Sequence, residues 1–245
     1  MKADPAQQTL LVHLQELDTR LGQLAHARAT LPELARLKEL GIQAAALDRE
    51  LALAQTALSD VQREVAKAEA DVQLVRDRAA RDQARLDSGT GTAKDLQALQ
   101  HELTSLARRQ AELEDIELEV MERAETLESD VRRLDGERAT LAASIAELEA
   151  TRDAGLARID GEHGTVEGER SGVAPRIDAP LLALYDKIRG GGGVGAAELK
   201  QRRCGGCRLE LNQVDLSRIK AAAEDEVLRC EECRCILVRT PESGI

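Results

Sequence analysis

Phenylalanine and tryptophan are absent from the 245 residues, and tyrosine occurs once, at Tyr185. Aromatic rings supply much of the buried area of ordinary globular cores, so a thick single core is disfavoured and an extended fold with a thin Leu/Ala seam is expected. No apolar run approaches the ~20 residues that span a bilayer. The opening Met1-Lys2-Ala3-Asp4-Pro5 turns polar at once and lacks a signal-peptide core. Cysteine is missing until Cys204, and all five cysteines fall between Cys204 and Cys235. A secreted, disulfide-stapled chain would spread them, whereas clustered cysteines in a reducing compartment point to metal or redox chemistry. Basic residues are in deficit, 34 Lys and Arg against 45 Asp and Glu, for a net charge of −11. Bulk electrostatics therefore disfavours generic binding to nucleic acid or to an anionic membrane. The expectation is a cytoplasmic protein with no membrane partner.

What is abundant is the composition of long helices: Ala, Glu, Lys, Leu and Arg make up over half of the chain. From Leu47 the apolar positions step by four and three: Leu47, Leu51, Ala54, Leu58, Val61, Val65, Ala68, Val72, Val75, Ala79, then Asp82 and Leu86. Such a run is a heptad signal. Asp87-Ser88-Gly89-Thr90-Gly91-Thr92 is turn chemistry. Leu99, Leu106, Leu113, Val120, Leu127, Leu134, Leu141 and Leu148 then recur at spacing seven. The companion positions are looser, with Gln110, Glu117 and Arg138 among Leu96, Leu103, Ala124, Val131 and Ile145. Gln110 and Glu117 read as register-fixing polar residues, and Arg138 as one that snorkels outward.

A short loop between two such arms makes them antiparallel neighbours. Folding about Gly89 pairs Val65 with Leu113 and Leu58 with Val120; a register one heptad away fits almost as well. Before the first arm, Leu10, Leu14, Leu17, Leu21 and Leu24 form another stripe. Pro32 interrupts it, because the residue before a proline resists helical geometry. The same fold-back lays residues 10–40 against 138–168. Ten of the 18 glycines lie between Gly155 and Gly195. At ~1 kcal/mol per helical glycine, the second arm is expected to fray there. A short helix over Ala179–Arg189 and a flexible hinge at Gly190–Gly193 should follow. The expected organisation is a coiled-coil hairpin over 1–170 (turn near 87–92, kink near 31–32), a helix and hinge over 171–198, and a cysteine-rich module over 199–245.

The strongest local motif is Cys204-Gly205-Gly206-Cys207, followed after 22 residues by Cys230-Glu231-Glu232-Cys233. Each C-x2-C turns two thiolates toward one ion, and two pairs complete a tetrahedral site. The four histidines all lie upstream. Zinc suits a closed four-thiolate set, and closed sites are structural. The metal ligands are thus Cys204, Cys207, Cys230 and Cys233; Cys235 is the alternative to Cys233, though C-x-C makes a poorer knuckle. Val227-Leu228 and Ile236-Leu237-Val238 read as short strands, as do Leu209 and Leu211. A module of ~45 residues has too little core to fold alone, so zinc would supply the missing free energy.

Lys200, Arg202, Arg203 and Arg208 are candidate nucleic-acid contacts. Equally, nearby arginines can offset the −2 charge that four thiolates leave on one Zn²⁺. No aromatic residue interleaves to stack on bases. Gly190–Gly195 lacks the Lys-Ser/Thr of a phosphate loop, and no nucleophile, base and orienting group come together in the pattern. No catalytic residue and no small-molecule substrate are expected.

The chain resembles the bacterial four-cysteine zinc-ribbon proteins with an N-terminal coiled-coil hairpin. Leu14-Gln15-Glu16-Leu17-Asp18, Lys94-Asp95-Leu96-Gln97-Ala98-Leu99, Leu113-Glu114-Asp115 with Met121-Glu122, and the two cysteine knuckles carry the resemblance. It implies a mainly α fold, zinc on Cys204, Cys207, Cys230 and Cys233, and binding to macromolecules. Relatives are linked to an alternative sigma factor, to flagellar messenger RNA or to secretion components, so protein partners in transcription or secretion machinery are implied. Family members usually carry Gly-Arg after the last ligand, where this chain has Arg234-Cys235. Two functions stand at this point: a non-enzymatic zinc-binding adaptor or chaperone-like scaffold, and a regulator that binds RNA or DNA through the ribbon.

Overall fold

The computed structural model describes residues 1–245. Three long helices lead: α1 (Pro5–Ala29), α2 (Pro32–Asp87) and α3 (Ala93–Val173). They are followed by a 3-10 turn, Ala174–Arg176, and α4 (Ala179–Gly190). The C-terminal part holds β1 (Ala196–Lys200), β2 (Arg203–Cys204), α5 (Gln213–Ala221), β3 (Leu228–Arg229) and β4 (Ile236–Arg239). Pro5 and Pro32 open α1 and α2, where a missing N–H costs nothing and the fixed φ favours the first turn. The chain divides into two compact units, Ala35–Ala150 and a second made of Met1–Leu34 with Thr151–Ile245.

In the Ala35–Ala150 unit, α2 and α3 are joined by the five residues 88–92 and run antiparallel as a coiled-coil hairpin. Every expected seam position of α2 from Leu47 to Leu86 is buried or half-buried, as are all eight heptad positions from Leu99 to Leu148. Arg138 alone of the companion positions is exposed, and its Nε reaches Asp48 at 2.6 Å. Arg76–Glu114 (2.6 Å), Arg78–Glu102 (2.7 Å) and Arg123–Glu64 (2.5 Å) also tie arm to arm. The register is the alternative one. Val120 packs with Val61 and Ala124, and Val65 rather than Leu58 covers that cluster. The loop is centred on Thr90, one residue beyond Gly89, a shift too small by itself to account for a whole heptad. Asp95 closes the entry to α3 by accepting from the Thr92 amide (2.9 Å) and hydroxyl (2.7 Å), which satisfies groups that a helix start leaves unpaired.

The other unit contains nearly all of the deeply buried side chains, and here the expectation of a thin seam throughout fails. Leu11, Leu14, Leu17, Leu21 and Leu24 of α1 pack with Ile159, Val166 and Val173 of α3 and with Leu181 and Tyr185 of α4. Ion pairs Arg20–Glu162 and Arg28–Asp160 fix the α1–α3 alignment, within the fold-back read from the sequence. Contrary to expectation, α3 does not fray after residue 154. Ile159, Val166 and Val173 keep a seven-residue step into the core, while Gly161, Gly164, Gly168 and Gly172 face open space. Burying an aliphatic side chain is worth about 1.5–3 kcal/mol, which outweighs ~1 kcal/mol per glycine.

Gly190–Gly193 ends α4 in an exposed turn. The Gly191 and Gly192 amides cap α4 on the carbonyls of Ile188 (3.2 Å) and Arg189 (2.9 Å), and Gly192 takes φ +85°. The strands form one sheet in the order β2-β1-β4-β3, with β1 parallel to β4 and the outer pairs antiparallel. Strand alternation splits its faces. Ala196, Ile236 and Val238 join the helical core, while Ala197, Leu199 and Leu237 pack with Leu211, Leu216 and Ile219. Leu209–Leu211, expected as a strand, forms a single bridge, Glu210 to Arg203.

Candidate metal centre

The two knuckles are built alike. In the first, the Cys204 amide donates to the Leu209 carbonyl (3.0 Å) and the Arg208 amide to the Cys204 carbonyl (2.7 Å). In the second, the Cys230 amide donates to the Cys235 carbonyl (3.0 Å) and the Arg234 amide to the Cys230 carbonyl (3.0 Å). Closing each turn forces the residue after its second cysteine into the left-handed region, Arg208 at φ 62° and Arg234 at φ 66°. Glycine is the usual solution there; a side chain costs roughly 1–2 kcal/mol. The glycines in Cys204-Gly205-Gly206-Cys207 answer a different need. A Cβ on Gly205 would lie 2.9 Å from the Glu198 carbonyl oxygen, and one on Gly206 would lie 3.2 Å from Cys235 Sγ.

Cys204, Cys207, Cys230 and Cys233 bring their sulfurs within 4.8 Å of one another. Four sulfurs about 2.3 Å from a tetrahedral zinc sit about 3.8 Å apart. Cys204–Cys233 at 3.8 Å and Cys207–Cys230 at 3.9 Å match that spacing, so the donor set fits zinc. Zinc would supply a closed, structural cross-link here. Cys204 and Cys230 are buried, Cys207 and Cys233 half-buried.

Without a cation, the surroundings favour a thiolate at only one of the four positions. The Cys204 thiol is pulled down to about 4, first by the hydrogen bond from the Cys235 thiol and then by the backbone amides of Cys207 and Gly206. Burial pushes Cys207, Cys230 and Cys233 up, while backbone N–H groups of the knuckles, Leu209 onto Cys207, Cys233 and Glu232 onto Cys230, and Cys235 onto Cys233, oppose that. A bound cation reverses the burial penalty and deprotonates coordinating thiols. Cys235 occupies in the second knuckle the place of Leu209 in the first. It is fully buried, 3.5 Å from Cys204 Sγ and 3.4 Å from Cys233 Sγ. Its own thiol is pushed up, first by its hydrogen bond to Cys204 and then by burial.

The four basic candidates are divided. Lys200 pairs with Glu242 at 2.6 Å and Arg203 with Glu210 at 3.8 Å, while Arg202 Nε donates to the Gly244 carbonyl at 3.2 Å. Lys200 and Arg208 line one groove with α1 residues such as Gln15 and Arg20; Arg202 lies in a separate one beside Lys220 and Ile245. The hydrogen bonds that lower the Cys204 thiol come from backbone amides and from the Cys235 thiol.

Sequence reading missed the polar joint between helices and ribbon. The Asp18 side chain is wholly buried on the apolar stripe of α1. It accepts from Tyr185 Oη at 2.7 Å and Arg170 Nε at 2.7 Å, and pairs with Arg189 at 3.1 Å. Gln15, one turn earlier, accepts from the amides of Gly195 (2.7 Å) and Ala196 (3.4 Å) at the start of β1. Gln8 donates to the carbonyls of Ala3 (2.9 Å) and Glu224 (3.3 Å). The signal was present: a carboxylate among leucines at core spacing, and a single tyrosine.

Residues 14–193 match the CT398-like coiled coil hairpin domain, and residues 203–237 match the C4-type zinc ribbon domain. The chain belongs to the CT398-like hairpin family. The Mycobacterium tuberculosis protein Rv2229c is 40% identical over 98% of both chains, and the Mycobacterium leprae protein ML1638 is 31% identical over 94% of this chain and 95% of its own. A solved structure from Mycobacterium smegmatis matches with a TM-score of 0.86 at 40% identity, covering 98% of this chain and all of that one. CT398 from Chlamydia trachomatis shares the fold, with a TM-score of 0.65 at 16% identity over 96% of this chain and 98% of its own. In this family member no helix is long and apolar enough to cross a membrane.

Proposed function

We propose that this family member is a cytoplasmic, non-enzymatic adaptor or chaperone-like scaffold, in which zinc locks the ribbon and the hairpin offers its outer faces to protein partners. The carrying observation is the donor set itself. Four thiols whose sulfurs lie within 4.8 Å of one another would fill all four positions of a tetrahedral zinc, and closed sites hold structure, whereas catalytic zinc keeps one position for water. Large apolar side chains stand exposed off the hairpin seam, among them Leu53, Leu74, Leu118 and Met121. Leu118 shares a helix face with Asp115 and Glu122, and Met121 lies one turn on, a mixture that suits a partner with basic and apolar groups.

The test is affinity capture from native lysate with protein and RNA read in parallel. The adaptor reading expects protein partners that survive the triple change of Arg202, Arg203 and Arg208 to Gln and are lost on Leu118→Asp with Met121→Asp. A salt-sensitive RNA complex abolished by the arginine change, with zinc still bound, would favour the nucleic-acid regulator instead. Removing each arginine that pairs with a phosphate should then flatten the log–log salt slope by about one unit.

A further inference from the structure

The ribbon holds one thiol more than zinc needs, and its placement is specific. Cys235 Sγ is fully buried and lies 3.4 Å from Cys233 Sγ and 3.5 Å from Cys204 Sγ. Cys204 is also fully buried, whereas Cys233 is partly open to solvent. An incoming oxidant therefore reaches Cys233 before it reaches Cys204. Arg234, between Cys233 and Cys235, holds φ 66°. A left-handed residue folds the two-residue span well below its extended length of about 7 Å. That brings the two backbones toward the 4.4–6.8 Å Cα separation, roughly, that a disulfide tolerates.

We propose that Cys233 and Cys235 form an oxidant-responsive pair, in which Cys233 is the zinc ligand attacked by a peroxide and Cys235 is the resolving thiol that expels the metal. The inference rests on zinc occupying the four-cysteine site. With hydrogen peroxide, the Cys233 thiolate attacks one oxygen and the O–O bond breaks, giving the sulfenic acid Cys233–SOH and hydroxide. Cys235 then attacks the sulfenic sulfur, forming the S–S bond; the sulfenic oxygen takes the Cys235 proton and leaves as water. The two sulfurs together lose two electrons and the peroxide gains them. Zinc loses one of its four ligands and dissociates as Zn²⁺, while Cys204, Cys207 and Cys230 take up protons from solvent. Reduction of the disulfide by a dithiol restores the ligand.

The experiment uses the full chain, zinc-loaded and reduced, treated with hydrogen peroxide while a chromogenic chelator reports released zinc. Trypsin cuts after Arg229, Arg234 and Arg239, so the bridge would join the peptides 230–234 and 235–239, and fragmentation assigns the bond to Cys233 or to Cys230. The expected result is that joined pair, appearing in step with zinc release and separating on reduction. Cys235→Ala should hold the same zinc before oxidation and release it more slowly, by about tenfold, because an intramolecular thiol has been removed. Zinc release at the wild-type rate in that variant, or a dominant Cys204–Cys207 bridge, overturns the proposal. If Cys235→Ala proves unstable, Cys235→Ser carries the same comparison. A chain that binds no zinc would count against the metal reading; the joined peptides, scored in the reduced apo chain, would then decide the pairing separately.

Discussion

Removing one oxygen atom from the single tyrosine should loosen the unit formed by Met1–Leu34 with Thr151–Ile245 and leave the hairpin seam alone. Tyr185 Oη donates to the buried Asp18 carboxylate at 2.7 Å, and the ring is fully buried. In Tyr185→Phe the packing stays and only that hydrogen bond goes. A hydrogen bond to a charged group is worth about 1.5–3 kcal/mol. Asp18 keeps Arg170 and Arg189, whose side chains are 22% and 39% exposed. Asp18→Ala strands no fully buried charge, since both arginines can turn to water, but it leaves the tyrosine hydroxyl without a partner. Its cost should fall near the low end of the ~3–5 kcal/mol for a broken buried pair. The two changes share one interaction, so together they should cost about 1–2 kcal/mol less than their sum. Native-state hydrogen exchange by mass spectrometry is the assay, since opening free energies differ from segment to segment. Tyr185→Phe should speed exchange by about 10- to 150-fold in peptides covering 10–24 and 181–199. Peptides inside 51–75 should not change. Unaltered exchange around Tyr185, or an equal acceleration throughout Ala35–Ala150, would refute the assignment of Asp18 and Tyr185 as the joint.

Gly161→Ala, Gly164→Ala and Gly168→Ala, at helical positions with nothing near the added Cβ, should each stabilise α3 by about 0.5–1 kcal/mol, read as a higher urea midpoint for unfolding of Met1–Leu34 with Thr151–Ile245; a fall in stability would show that these glycines touch something. The Thr92 hydroxyl and amide hold Asp95 below the usual carboxylate range, so its contribution is present above the unfolded value near 3.8 and is lost as pH falls through the folded value. Exchange protection at the first turn of α3 should therefore drop on acidification below about pH 4, and Asp95→Asn should remove that step; an unchanged step in the variant would assign it elsewhere.

The heptads of α2 and α3 were legible because a period of three and four survives any local detail, and even the misfit Arg138 turned outward as its chemistry requires. The register was less so: aliphatic pairs recur every seven residues, so the seam pattern alone does not separate neighbouring alignments. The glycine-rich end of α3 misled because glycine cost is local, whereas Ile159, Val166 and Val173 gain their burial from α1, far away in sequence. Ala196–Lys200 reads as helix by propensity and becomes a central strand only through its neighbours β2 and β4. The nine residues of α5 carry a visible start signal, Asn212, whose side chain accepts from the Asp215 amide at 2.8 Å, but the segment is too short for an apolar period to mark it. The four-cysteine set was the most legible feature of all, since C-x2-C fixes its own local geometry, whereas the burial of Cys235 beside it needed the sheet.

The claim on which the ribbon and the proposed oxidation both rest is a closed four-sulfur zinc site. X-ray absorption at the zinc edge of the purified, reduced chain tests it directly. One zinc per chain with four sulfur neighbours at about 2.3 Å is the expected spectrum, unchanged in Cys235→Ala and lost in Cys204→Ser. A first shell containing nitrogen or oxygen, or full four-sulfur occupancy persisting in Cys233→Ser, would contradict the assignment.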